Sequence, residues 1–308
     1  MSIAVLGSAV VDLPMVYDHM PVDGETARVA KGYMMVGGKG VNQALQLAHL
    51  GEDVTLLTAL GNDPLGEWMK RNLSQPHLLL KIMAQSASTA YAVPVQLPER
   101  HFIFHVPGVN DMVTVGDLKS LEFDWHAVDT LLVQGELPWD VSLWAATQVI
   151  SHGGRVVLNP APASGLPSEL LATASVVTPN DSEFSLMTGT SEDQWDDAAA
   201  ALFAHNARLE VCVVTLGARG LRLFQRNGSR QDFPALPVRV IDPTGAGDSV
   251  TAVWTWAVRQ QMSYEAASVL SLKAGALSVS RMGAGPGLPT KAEIMAYEPD
   301  GTRAQTVS

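Results

Sequence analysis

The stretch VIDPTGAGDSV, Val240 to Val250, combines two features that pull against each other. Gly245, Ala246 and Gly247 carry little or no side chain, so their backbone N–H groups are open to an anion, yet the carboxylate of Asp248 follows directly. Beyond them Val250, Val253, Trp254 and Ala257 recur at helical spacing, which predicts a helix beginning near Gly245. The first N–H groups of a helix lack intrahelical partners and sit at its positive end, where a phosphate oxygen fits. A plain Gly-rich helix start with Asp248 as a dipole-stabilising first-turn acid fits the same residues. No Gly-Lys-Ser/Thr follows, so this is not a Walker-type phosphate loop.

Five other motifs hold residues suited to gripping a polar ligand. VGGKGVNQA (36–44) offers Gly38 for close backbone approach, Lys39 for positive charge and Asn42 for paired hydrogen bonds; it also reads as a strand-to-helix turn with a solvated lysine. Asp12 in VVDLP and Glu136 in VQGELP each read as a turn or cap acid, or as a carboxylate holding sugar hydroxyls. In TPNDSE, Asn180 and Glu183 are three residues apart and share a helical face; Asn180 fits a helix cap, and Glu183 fits an acid that orders water around magnesium. TLGARG (215–220), with Thr215 and Gly217, is a tight turn between strands or the wall of a nucleotide pocket. The eight histidines show no metal-ligand spacing; His101 and His105, on one face of a predicted strand, read as ordinary surface or core residues. Trp254 and Trp256 read as core or interface. No Ser/His/Asp arrangement stands out, and the first strand lacks the GxGxxG of dinucleotide enzymes.

The elements that must position these residues alternate. IAVLGSAV (3–10), DVTLLTAL, DTLLVQGE, RVVLNPAP, SVVTPN and VCVVTLG read as short buried strands. Helical patterns lie between them, in GVNQALQLAHLG closed by Gly51, in DPLGEWMKRNLS opened by Asp63 and Pro64, and over residues 141–150, 167–172 and 194–205. Such alternation predicts an α/β/α layering around a mainly parallel sheet, with ligands beyond the carboxyl ends of its strands. Glu136, Asn159, Asn180 and Thr215 then collect on that edge. Residues 27–38 and 88–109 break the rhythm: Tyr91, Val93 and Val95 alternate, as do Phe102 and Phe104, predicting a small β flap. The tail after Pro299 is polar.

With 308 residues, 47% of them hydrophobic, the chain has ample material for a core. A net charge of −11 disfavours nucleic acid and anionic membrane as partners, so an anionic ligand needs a local site. The one cysteine, Cys212, lies in an apolar strand and reads as a buried thiol; the apolar N-terminus lacks a basic flank and holds Asp12. No run approaches a membrane span, and the cytoplasm is the expected setting.

Taken in order, VGGKGVNQALQLAHLG, LGNDPLGE, LNPAPA, TPNDSE, TLGARG and DPTGAGDSV resemble the ribokinase/PfkB family of carbohydrate kinases along nearly the whole chain. The resemblance implies a ribokinase-like fold, one kinase domain over 1–308 with a β-sheet lid from about 11–36 and 88–110. It implies ATP-dependent transfer of the γ-phosphoryl group to a primary hydroxyl of a furanose-like sugar of ribose or fructose type. By position, Asp248 becomes the general base and Gly245–Gly247 the anion hole. Asp12, Gly38, Lys39, Asn42 and Glu136 become the sugar site, and Asn180, Glu183, Thr215 and Gly217 the ATP and Mg2+ side. Asp242, Thr244, Ser278, Arg281 and Gly283 match a monovalent-cation site of K+ type, and a homodimer through the lid is implied. Two positions depart: Val10 stands where many members carry Asn, and Gly287 where many carry Ser. The resemblance therefore leaves the sugar unnamed. A phosphosugar kinase, a nucleoside kinase and a non-catalytic sugar or nucleotide sensor are the alternatives.

Overall fold

A computed structural model describes residues 2–26, 28–29, 31–97 and 100–298; the polar tail from residue 299 lies outside them. The chain opens with β1 (Ser2–Leu6), then lays down β2 (Val10–Asp12), β3 (Met15–Val16), β4 (Lys31–Gly32) and β5 (Met35–Gly37) before α1 (Lys39–His49). There follow β6 (Val54–Gly61), α2 (Pro64–Asn72), β7 (Leu78–Gln85), β8 (Tyr91–Gln96), β9 (His101–Val106), α3 (Val115–Ser120) and β10 (Val128–Gln134). The second half runs α4 (Trp139–Ser151), β11 (Arg155–Asn159), α5 (Ser168–Leu171), β12 (Val176–Val177), α6 (Asp181–Thr188), α7 (Trp195–His205), β13 (Val211–Thr215), β14 (Leu221–Gln225) and β15 (Arg230–Phe233). It closes with α8 (Ala246–Arg259), α9 (Tyr264–Val279), α10 (Ala284–Gly287) and α11 (Lys291–Ala296).

Among the described residues, nine strands form one sheet in the order β15-β14-β13-β12-β11-β10-β1-β6-β7. Its pairs are parallel except at β13–β14 and β14–β15. Side chains alternate across the sheet, so each strand feeds two cores. Ile3, Val5, Leu56, Val157 and Val213 pack beneath α1, α8 and α9, while Ala4, Leu6, Leu57, Leu158 and Val214 pack beneath α4, α6 and α7. Cys212 lies in the second core at zero exposure, and burial pushes its thiol pKa up. Asp63 caps α2 by accepting from Gly66 N at 2.8 Å, with Pro64 at the first turn as its sequence predicts. No helix among the described residues is long and apolar enough to cross a membrane.

The run 3–10 is not one strand. β1 ends at Leu6 and Val10 begins a strand of a second sheet. The physical reason lies at Gly7, where an added Cβ would fall 2.7 Å from the Cα of Gly40 and strike the Gln134 side chain. The chain must cross there with bare backbone and turn into that second sheet.

The second sheet, which stands where the lid is expected, has six strands, ordered β4-β3-β8-β2-β5 with β9 on the far side of β8. β2 and β3 both run parallel to β8 and form two halves of one strand, broken next to Pro14, which has no N–H to give. The alternation in 88–109 is that of the β8–β9 hairpin, with Val93 opposite Phe104 and Val95 opposite Phe102. Its outer strand is bare: Ile103 and Phe104 are 58% and 59% exposed.

Candidate functional site

α8 begins at Ala246, preceded by Gly245 at φ 80°, and no side chain caps it. Ala246 N reaches only Pro243 O, at 3.4 Å, and a Cβ on Gly247 would meet nothing within 4 Å. The helix start therefore opens onto free space with donors available. Gly245 is fixed by its left-handed backbone and by Ala284, whose Cβ would lie 2.8 Å from a Cβ placed on it. Within the same first turn, Asp248 is only 6% exposed. Asn42 Nδ2 donates to its Oδ2 at 2.8 Å and Gln43 Nε2 to its Oδ1 at 2.9 Å. Burial holds the Asp248 pKa above the usual carboxylate range, opposed by the charge of Lys39 and by both amide hydrogen bonds.

The first turn of α1 faces this carboxylate. Gly38 stands at φ 91°, with room for no Cβ between Ser8 O and Val10 N, so the lid crossover and the start of α1 touch backbone to backbone. Lys39 is not a solvated turn residue: it is the first residue of α1 and half-buried. Burial pulls its pKa down, but Asp248, Glu136 and Glu183 outweigh this and raise it. The Glu136 carboxylate accepts from the Ser8 hydroxyl and from Lys39 N, the latter at 3.0 Å. Asp12 pairs with Met35 inside the lid sheet and caps no helix. Burial raises its pKa to about 7, helped by the charges of Glu136, Asp242 and Asp248. Asp12, Lys39, Asn42, Glu136 and Asp248 thus converge where lid, α1 and α8 meet.

Asn180 and Glu183 start α6 as a capping box. Asn180 Oδ1 accepts from Glu183 N, and Glu183 Oε2 accepts from Asn180 N, both at 2.8 Å. The cap reading is realised, and Glu183 in addition senses Lys39 and Asp248; burial comes first in raising its pKa. Thr215 bridges to Asn180 one strand over, and Gly217 follows at φ 57° with open space where a Cβ would be. These four line the same carboxyl edge, one strand further along. TLGARG is the connection of the antiparallel β13–β14 pair.

Asp242 ties two loops together, accepting from Thr244 N and Gly283 N, both at 2.9 Å. Ser278 Oγ is buried with no hydrogen-bond partner. The Arg281 guanidinium turns instead to Glu293 of α11, at 2.6 Å, so only the backbone of Arg281 is left to this loop. A Cβ on Gly287 would stand 3.5 Å from Ser278 O and 3.9 Å from Arg281 O, which is the space a serine hydroxyl would fill. Val10 starts β2 and packs in a small buried cluster with Ala90 and Ala92.

Sequence reasoning passed over Ser8, Gln43, Gln46 and Gln134, and placed Asn159 on the carboxyl edge without giving it a role. Gln43 binds Asp248 itself, and Gln46 receives the Ser249 hydroxyl at 2.8 Å. A signal existed: residues 40–48 of α1 are all buried, and Asn42, Gln43 and Gln46 share one side of it. A polar face on a helix with no solvent must find partners.

The sequence pattern of pfkB family carbohydrate kinases matches residues 1–291. The chain is 30% identical over 300 residues to a ribokinase of Haemophilus influenzae, covering 96% of this chain and 98% of that one. It is 32% identical over 305 residues to a ribokinase of Bacillus subtilis, covering 95% and 98%. Its fold superimposes on Arabidopsis thaliana ribokinase complexed with ribose and ATP at a TM-score of 0.84 and 26% identity, over 96% of this chain and 97% of that one.

Proposed function

This chain belongs to the pfkB family of carbohydrate kinases, and on that premise we propose that it transfers the γ-phosphoryl group of ATP to the primary hydroxyl of an unphosphorylated furanose-like sugar. The observation that carries the reading is the pairing of an uncapped helix start at Gly245–Gly247 with a buried, doubly hydrogen-bonded Asp248 within the same first turn. The N–H groups stabilise charge on the transferring phosphoryl group, and Asp248 takes the proton of the acceptor hydroxyl. Asn42 links the two: its Nδ2 holds Asp248, while its Oδ1 is buried and unpartnered, ready to accept from a sugar hydroxyl. Asp12, Gly38, Lys39 and Glu136 complete the sugar side, and Asn180, Glu183, Thr215 and Gly217 the ATP side.

Charge favours a neutral sugar over a sugar phosphate. Lys39 is compensated by Asp248, Glu136 and Glu183, and Asp12 adds a further acid. A phosphate dianion entering that group meets more repulsion than attraction.

No group of three or more His, Cys, Asp or Glu among the described residues would cage a metal ion alone. Mg2+ belongs to this proposal as an ion carried by the ATP phosphates, with Glu183 ordering its waters. A monovalent cation of K+ type fits the loops at Asp242, Thr244, Ser278, Arg281 and Gly283, where Ser278 Oγ is an orphaned buried oxygen. The bare β9 edge supports a homodimer through the lid, and the cytoplasmic setting is part of the same proposal.

The test is an ATP-turnover screen of pentoses, hexoses, sugar phosphates and nucleosides. Turnover with a free pentose or ketohexose is the expected result. Turnover with sugar phosphates alone, or binding without turnover, would overturn it.

A further inference from the structure

Asp248 is held from behind by buried amides that no role above accounts for. Gln43 Nε2 donates to Asp248 Oδ1 at 2.9 Å and to Asn159 Oδ1 at 3.0 Å. Gln134 Nε2 donates to Gln43 Oε1 at 2.6 Å, and Asn159 Nδ2 to Thr178 O at 2.6 Å. Gln43 is fully buried, Gln134 is 1% exposed and Asn159 6%. The residues come from α1 and from the carboxyl ends of β10 and β11, so the chain of bonds crosses the sheet edge directly under the base.

The direction of this chain is fixed by one group that cannot reverse. Thr178 O is a backbone carbonyl and only accepts. Asn159 must turn Nδ2 to it, which leaves Oδ1 for Gln43. Gln43 must then present Nε2, whose second hydrogen goes to Asp248, and its Oε1 receives Gln134. Flipping the Gln43 amide would set oxygen against the Asp248 carboxylate and against Asn159 Oδ1, and nitrogen against Gln134 Nε2. Gln134 is in turn seated against the bare backbone of Gly7, where an added Cβ would strike its Oε1.

We propose that Gln43 is a positioning residue for Asp248, and that Thr178, Asn159 and Gln134 set its amide so that Asp248 Oδ1 is locked and Oδ2, beside Asn42, is the oxygen that meets the acceptor hydroxyl. This rests on the phosphoryl-transfer reading above. The charged groups facing Asp248 are Lys39 of α1, Glu136 beyond β10, Glu183 of α6 and Asp12 of the lid. Among them Gln43 supplies a neutral donor, which favours the carboxylate over the acid.

The test uses Gln43→Leu, Gln43→Glu and Gln134→Leu, with folding checked by circular dichroism and thermal melting. For Gln43→Leu, kcat is expected to fall about 10- to 100-fold, the weight of one hydrogen bond to a charged group, with KM for the sugar little changed. Losing a donor destabilises the anion, so the acid limb of the kcat–pH profile moves to higher pH by about one unit. Gln43→Glu, which sets an acid against an acid, shifts it further. Gln134→Leu, which does not touch Asp248, shifts it the same way but less.

Unchanged kcat and acid limb in both Gln43 variants would overturn the proposal; lower melting temperatures with an unmoved pH profile would do the same, since packing alone explains them. A wild-type protein that turns over no sugar would instead refute the functional reading. The inference is then read without turnover, from the 13C carboxyl signal of Asp248, assigned by its absence in Asp248→Asn. An upward shift of its titration in Gln43→Leu supports the proposal, and an unshifted titration sinks it.

Discussion

At the scale of single residues, the candidate site is a cluster of acids, Asp12, Glu136, Glu183 and Asp248, held in check by Lys39 and by amides. Replacing Asp248 with Asn keeps its shape and removes its basicity. Turnover is expected to drop about 10²- to 10⁴-fold while sugar affinity, measured by calorimetry, is retained; unchanged turnover would take the base away from Asp248. Asp12 gives a second prediction. Its pKa is raised from 3.8 unfolded to about 7 folded, so ionising it costs stability. That cost is absent below pH 4, grows as pH rises through the window from 4 to 7, and is full above 7. Asp12→Asn is therefore expected to melt higher than wild type at pH 8, with the gap closing toward pH 4. A constant gap across that range would show that the raised pKa is not real.

At the scale of elements, the two helix starts to which the proposal assigns chemistry are built in opposite ways. α6 is closed by its own capping box, so its donors are consumed and Asn180 is a stability residue as well as a candidate ligand. Asn180→Ala is expected to cost about 1 kcal/mol in denaturant unfolding. α8 has no side-chain cap, and its opening depends on Gly245. Gly245→Ala places a Cβ in a left-handed backbone at about 1–2 kcal/mol and against Ala284. Turnover should fall with stability there, because the helix start must shift; full activity would show that the donors at Gly245–Gly247 do not carry the reaction. The strand, helix and turn pattern was largely readable, since alternation and capping are local. The misjudged strand at 3–10 shows the limit: its hydrophobic run is continuous, and only the close approach of Gly7 to Gly40 breaks it.

At the scale of the whole molecule, the small sheet leaves two adjacent large apolar side chains of an edge strand exposed. Ile103 and Phe104 point to opposite faces of the edge strand β9 and both are largely exposed. In the proposed homodimer the small sheet of a second copy covers them. Ile103→Asp is expected to convert a dimer to a monomer in light scattering at micromolar concentration, and a wild type already monomeric there would refute lid pairing. The same lid supplies Asp12 to the site, so loss of pairing should also raise KM for the sugar.

The sequence by itself determined the layered α/β architecture, the small second sheet and the candidate residues at each strand end, because hydrophobic period, glycine and capping chemistry act over a few neighbouring positions. It also carried the polar face of α1, but not its meaning. Which carboxylates share Lys39, that Arg281 turns away to Glu293, and that Gln43, Gln134 and Asn159 stand behind Asp248 were decided by tertiary structure alone. Apart from Arg281–Glu293, 12 positions apart, those contacts join residues some 90 to 200 positions apart, across the small sheet, the main sheet edge and two helices, and a buried polar group takes whichever partner the fold brings within about 3 Å.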